Sequence, residues 1–231
     1  LAIQSDMRLS APDALELHYT RAMMSFLLFQ PQPADVLMIG LGGGSLAKFI
    51  HRRLPTTRVT VVEIRPEIVS AARTYFSLPA DDERLSVVVD DGARYLPGQP
   101  ESADILLLDG FDNGRQPPAL CTQAFYDSAF EALRPGGMLV VNFMAFDKKL
   151  DALCGRMERS FKSRVLLVDA ADRVNVIALA FREGPERVAL RELRGRATAL
   201  KEVFGLPFER LLSSLTSRNR NDGRYLSLIH I

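Results

Sequence analysis

The chain has no tryptophan, three histidines and only two cysteines in 231 residues. Cys121 and Cys154 are too few and too widely separated for a disulfide framework or a structural zinc site. No metal is therefore expected, and a reducing, cytoplasmic setting is the default. Hydrophobic runs are short, and none approaches the roughly 20 residues that a membrane span requires. A basic-then-apolar leader is missing too, and because the chain opens on Leu1 it is expected to begin partway into a longer gene product. Charge of either sign is not in excess: 29 Lys and Arg stand against 28 Asp and Glu. That balance argues against nucleic acid or an anionic membrane as the main partner. A basic bias is confined to residues 182–231, with ten cations against six acids, and the interleaving of signs reads as a solvated helical face. His51, inside His51-Arg52-Arg53, reads as a solvated residue, and Ser227–Ile231 shows no evident fold logic.

What the chain does have is a globular balance, 47% hydrophobic and 25% charged. Short apolar runs at 36–39, 58–62, 85–89, 105–108, 138–142, 165–169 and 175–181 read as strands, several with the continuous apolar character of strands buried on both faces. Helical patterns fill the intervals at 46–54, 66–76, 122–133 and 148–161. Pro66 suits a first helical turn, and Gly136-Gly137 reads as a helix stop. This alternation predicts a doubly wound α/β fold, with a mostly parallel Rossmann-like sheet and helices on both faces. Residues 1–30 form an N-terminal segment whose spacing predicts a helix over 10–30, and 31–182 form the nucleoside-binding domain. A helical extension follows at 183–231, interrupted at Gly205 and Pro207.

The chemistry gathers at the strand ends. Asp35-Val-Leu-Met-Ile39 empties into Gly40, Gly42, Gly43 and Gly44, and Glu63 closes the next strand 23 residues after Gly40. A glycine turn lets backbone approach a ligand closely, and a carboxylate about 20 residues on accepts hydrogen bonds from a ribose. The third strand ends in Asp90-Asp91-Gly92 and the fourth in Asp109-Gly-Phe-Asp112. Carboxylates gathered this way cost free energy unless cations or donors oppose them. Helix capping accounts for one of them, not the set. Phe111 either stacks on a ligand or anchors its loop. Cys121 has no basic activator nearby and does not read as a reactive thiol.

Together these stretches (Ile39-Gly-Leu-Gly-Gly-Gly44, Val61-Val-Glu-Ile64, Val89-Asp-Asp-Gly-Ala93, Leu106-Leu-Leu-Asp-Gly-Phe-Asp112 and Phe125-Tyr…Leu133-Arg-Pro-Gly-Gly137) resemble the spermidine synthase family of aminopropyltransferases, within the class I S-adenosylmethionine-dependent transferases. The resemblance covers residues 10–182. It implies that Glu63 takes the ribose hydroxyls and that Asp91 and Gly92 hold the adenine edge. It also implies that Asp109 accepts a proton from the attacking amine, that Asp112 binds the cationic end of a putrescine-like diamine, and that Tyr19 lies near the ligand. The implied co-substrate is decarboxylated S-adenosylmethionine or S-adenosylmethionine itself, and the implied assembly is a homodimer, for which the apolar stripe at 190–212 offers one surface.

Several positions depart from that pattern. Gly43 stands where the family has an aspartate against the aminopropyl end of the donor. His18-Tyr19 inverts the family's tyrosine-led pair, and Asp172-Arg173-Val174-Asn175 replaces a tyrosine-glycine element. Arg115 puts a cation beside the acidic loop. The family's small N-terminal β-domain is expected to be truncated or missing. Two other readings stand beside aminopropyl transfer. One is a methyltransferase, against which Met38 occupies a position often acidic in that class; the other is a non-catalytic nucleoside-binding module.

Overall fold

The computed structural model describes residues 5–111 and 115–229. Helix α1 (His18–Met23) continues as a 3-10 turn over Met24–Leu28 and leads into β1 (Asp35–Ile39). The chain then alternates α2 (Ser45–Arg53), β2 (Arg58–Glu63), α3 (Pro66–Tyr75), β3 (Leu85–Val89), the single turn α4 (Gly92–Tyr95) and β4 (Ala103–Leu108). Next come α5 (Gln123–Ala132), β5 (Leu133–Met144), α6 (Leu150–Ser160), β6 (Val165–Asp169) and β7 (Asn175–Phe181). A small ribbon of β8 (Arg187–Ala189) and β9 (Tyr225–Ser227) brackets α7 (Leu190–Phe204) and α8 (Phe208–Arg218).

Seven strands form one sheet in the order β3-β2-β1-β4-β5-β7-β6. The first five run parallel, and β7 lies antiparallel to both β5 and β6. Successive strand residues face opposite layers. Val36 and Met38 of β1 enter a core with α2, α3, α7 and α8, while Leu37 and Ile39 enter the other with α4, α5 and α6. Both faces are thus covered, which is why β1 reads as an unbroken apolar run. Strand order reverses between β1 and β4, and a crevice opens above their carboxyl ends.

Four expectations change. The helix expected over 10–30 is confined to His18–Met23 and its 3-10 extension, because residues 8–14 form tight turns closed by Ala11 N–H to Arg8 and Ala14 N–H to Ala11. Pro12 disfavours a helical conformation in the residue before it. Gly136-Gly137 is not a helix stop: α5 ends at Ala132, and Gly136, at φ +80°, lies in an irregularity of β5 where pairing jumps from Ala103–Leu133 to Ile105–Met138. His51 is not simply solvated, since its Nε2 lies 2.8 Å from Asp82 Oδ2 and its side chain is 17% exposed. The chain end also has a fold role through residue 229: β9 pairs with β8, and Leu226 and Leu228 are buried in the main core.

At the amino edge of the sheet, Asp104 accepts from the backbone N–H groups of Ala34 (2.7 Å) and Asp35 (2.9 Å). Arg134 bridges Asp104 and Asp35, joining the starts of β1, β4 and β5 far from the crevice.

Candidate active site

The crevice encloses about 1500 Å³ and is lined from all the strand ends singled out in the sequence. Gly40, Gly42, Gly43, Glu63, Asp91, Gly92, Asp109, Phe111 and Tyr19 all face it. Gly44 does not: it caps α2 at φ +71°, and a side chain there would meet Leu78. Asp112 lies outside the described residues. Arg115 is exposed and is not among the residues lining the crevice. Phe125 and Tyr126 are core residues, 4% and 0% exposed.

Two glycines are dictated by close approach. Gly40, at φ +95°, packs so tightly on β4 that a Cβ there would lie 2.4 Å from the Asp109 carbonyl oxygen. Any side chain would push apart the ends of β1 and β4 and displace Asp109 itself. At Gly43 a Cβ would come within 2.8 Å of the Phe76 ring and 2.9 Å of Ser5 Cβ. Ser5 Oγ accepts the Gly43 N–H at 2.8 Å, so a serine and an aromatic ring fill the space around the turn.

Glu63 is 7% exposed and ties two turns together. Its carboxylate accepts from Leu41 N–H on the glycine turn and from Arg65 N–H, each at 3.0 Å. Each carboxylate oxygen has two acceptor directions, so capacity is left for ligand hydroxyls. Asp91 caps α4 by accepting Ala93 N–H at 2.9 Å, while its neighbour Asp90 pairs with Arg94. Helix capping thus explains one of the acids and leaves the others.

Asp109 follows β4 among polar partners supplied by two other elements. Asn142 of β5 donates to its Oδ1 at 2.9 Å, and the Tyr19 hydroxyl of α1 donates to the carboxylate as well. Burial pushes its pKa up to about 6, against the two hydrogen bonds, which lower it. The Tyr19 hydroxyl is raised far above the usual phenol range by burial and by the charge and hydrogen bond of Asp109. It therefore acts as a donor throughout the ordinary pH range. By contrast, burial pushes the Cys121 thiol up, away from the reactive thiolate.

Asn142 and Asn175 are the functional candidates that sequence reasoning missed. They are 2% and 7% exposed and interact across the β5–β7 pair, where Met144 lies opposite Asn175. The available signal was an asparagine interrupting one apolar strand and another opening the next. Gln116 adds a bond from its amide to the Asn142 carbonyl at 3.1 Å and holds the loop after β4 against β5.

With this geometry in place, comparison with known proteins is informative. The spermine/spermidine synthase domain model matches residues 16–151. A polyamine aminopropyltransferase of Neisseria meningitidis serogroup A is 37% identical over 227 residues, covering 98% of this chain and 86% of the relative. The chain belongs to the spermine/spermidine synthase family. Among solved structures, human methyltransferase-like protein 13 in complex with SAH superposes with a TM-score of 0.72 at 26% identity, covering 90% of this chain and 96% of that one. A spermidine synthase in complex with the transition state analogue AdoDATO gives the same TM-score at 22% identity, over 87% of this chain and 72% of that one, a likeness of fold. Membership of the spermine/spermidine synthase family accords with the fold expected from the strand and helix pattern. Among the described residues no cluster of His, Cys, Asp or Glu has the makings of a metal site, and no helix is long and apolar enough to cross a membrane.

Proposed function

We propose that this chain transfers an aminopropyl group from decarboxylated S-adenosylmethionine to an amine acceptor, a putrescine-like diamine being the simplest. The observation that carries the reading is Asp109, a largely buried carboxylate held between Tyr19 and Asn142 in a crevice that also presents Glu63 and the glycine turn. In this reading Glu63 binds the ribose hydroxyls, Asp91 and Gly92 border the adenine, and Gly40, Gly42 and Gly43 let the donor lie against backbone. Asp112 supplies the second anionic group for the distal ammonium.

An amine with a pKa near roughly 10 arrives protonated and cannot attack. Asp109, with a pKa of about 6, is mainly ionised at neutral pH; it attracts the ammonium, orients it and takes a proton as the nitrogen attacks. The nitrogen forms a bond to the carbon beside the sulfonium, the carbon–sulfur bond breaks, and a neutral thioether nucleoside departs. Family membership and the Neisseria relative support this reading. We further propose that residues 31–182 carry the activity, flanked by the segments 1–30 and 183–231. A homodimer and a cytoplasmic site of action complete the reading, the latter supported by two free cysteines.

One observation favours a second reading, methyl transfer from S-adenosylmethionine. The turn at Gly43 carries no carboxylate, and Ser5 and Phe76 occupy the space one would need. Calorimetric titration with methylthioadenosine, decarboxylated S-adenosylmethionine and S-adenosylmethionine separates the readings, the decarboxylated donor being expected to bind tightest. Tightest binding by S-adenosylmethionine, with methyl transfer to an amine, would replace the first reading with the second. Methylthioadenosine binding no better than millimolar would remove the nucleoside site altogether.

A further inference from the structure

Asp109 is one end of a hydrogen-bonded line that runs sideways through the sheet. Asn142 donates its amide to Asp109 Oδ1 at 2.9 Å, and its own Oδ1 accepts from the Asn175 amide at 2.9 Å. Asn175 also points its amide at Met144 Sδ, 3.4 Å away, a weak acceptor. The two amide links run in one direction, with nitrogen giving and oxygen receiving. A side-chain amide has two orientations that differ only by exchange of nitrogen and oxygen, and its neighbours decide between them. Here both neighbours, Asp109 and Asn175, select the same orientation. If Asn142 turned over, its oxygen would face a carboxylate oxygen and its NH2 would face the NH2 of Asn175, two repulsive contacts inside a nearly dry strand pair.

We infer that Asn175 is a positioning residue for Asp109, acting through Asn142 by locking that amide with its N–H groups towards the carboxylate. The inference rests on the reading of Asp109 as the group that takes the amine's proton. A donor aimed at Asp109 favours its ionised form, the one that can accept a proton. The same lock fixes which carboxylate oxygen is occupied: Oδ1 is held from the β5 side, while Tyr19 donates from α1. The carboxylate is thus fixed in rotation as well as in charge. Asn175 lines the same crevice as Asn142 and Asp109, and its hydrogen bond to Asn142 carries its effect on the carboxylate.

Other titratable groups lining the crevice are Glu16 before α1, His18 at its start, Glu63 at the end of β2, Arg65 after it, Asp91 after β3 and Asp172 in the β6–β7 turn. Glu16 is paired with Arg8, Glu63 binds two backbone N–H groups and Asp91 caps α4. None of them bonds to Asn142 or Asn175, so a change at 175 is read through the asparagine pair.

The test is the acid limb of the kcat–pH profile of the full chain, with thermal melting measured on each variant. Asn175→Asp offers Asn142 only acceptors and turns its amide over, so the acid limb should move up by about one pH unit. Asn175→Leu keeps the volume but removes the lock on Asn142, so its limb should also move up, by less than that of Asn175→Asp. An added charge at 175 acts through space too, and an Asn142→Leu background separates the effects: there, Asn175→Asp should shift the limb by less than half as much. Equal shifts in both backgrounds, or no shift from Asn175→Asp in a folded protein, would overturn the inference. Asp109→Asn is the control for the underlying reading. If that variant turns over at the parent rate, the proton-acceptor role fails; if it is inactive while the 175 variants keep the parent limb, only the positioning role fails.

Discussion

Replacing Asp109 by asparagine should make the protein more stable at neutral and alkaline pH while abolishing turnover. Burial raises the carboxyl from 3.8 to about 6. A group whose pKa rises on folding binds its proton more tightly in the native state, so its contribution to stability is greatest at low pH. That contribution is complete below about pH 4 and is lost as the pH climbs through about 6. A shift of about two units corresponds to about 3 kcal/mol, a ceiling because water in the crevice solvates the charge. Asparagine keeps the shape, accepts from Asn142 through its oxygen and donates to Tyr19 through its nitrogen, so little packing is lost. Urea unfolding of parent and variant should therefore give near-equal stabilities at pH 4. The variant should gain steadily above pH 5 and lead by about 1–3 kcal/mol at pH 8. Parallel stability curves from pH 4 to 8, or a variant less stable at pH 8, would refute a burial-raised carboxyl here. The same measurement would show directly that folding carries a cost for holding this group.

Gly40→Ala should cost about 2–5 kcal/mol, combining a positive-φ penalty with a clash against the Asp109 backbone, and should weaken nucleoside binding in calorimetry. Parent-like melting and affinity would show that β1 and β4 can part freely. Gly43→Asp should lower stability by about 1–3 kcal/mol, and removing the ring by a second change, Phe76→Ala, should recover part of it. A stable single variant would mean that Ser5 and Phe76 do not close that space. Asp104→Ala strips two backbone N–H groups and Arg134 of their partner, so chemical denaturation should show a loss of about 2–4 kcal/mol. Because Asp104 lies at the opposite edge of the sheet, nucleoside affinity measured on the folded variant should be unchanged.

Much of this architecture is legible from the chain because its physics is local. The apolar runs 85–89, 165–169 and 175–181 match β3, β6 and β7 residue for residue, and β7 is buried along its whole length. Glycines crowd a turn where backbone approaches backbone, and acids close strands at the carboxyl edge. The misreadings also have physical causes. The helical spacing of Leu15, Tyr19, Met23, Phe26 and Leu27 suggests a helix from residue 10, yet residues 8–14 close in turns ahead of α1. The Arg134-Pro135-Gly136-Gly137 run has the composition of a helix end and serves instead as the irregular start of β5. His51 looked solvated because Asp82, its partner, is 31 positions away.

The sequence by itself determined the layers, the crevice edge and the presence of Glu63, Asp91 and Asp109 on it, since each follows from the periodicity and turn chemistry of a short segment. Only the tertiary structure decided what those residues touch. Asn142 meets Asp109 across 33 positions and Asn175 meets Asn142 across another 33, because β7 returns antiparallel on β5 and sets the two amides side by side. Ser5 reaches Gly43 across 38 positions. No local pattern encodes such meetings. They arise from strand order and register, which are settled by how the two cores pack around the whole sheet.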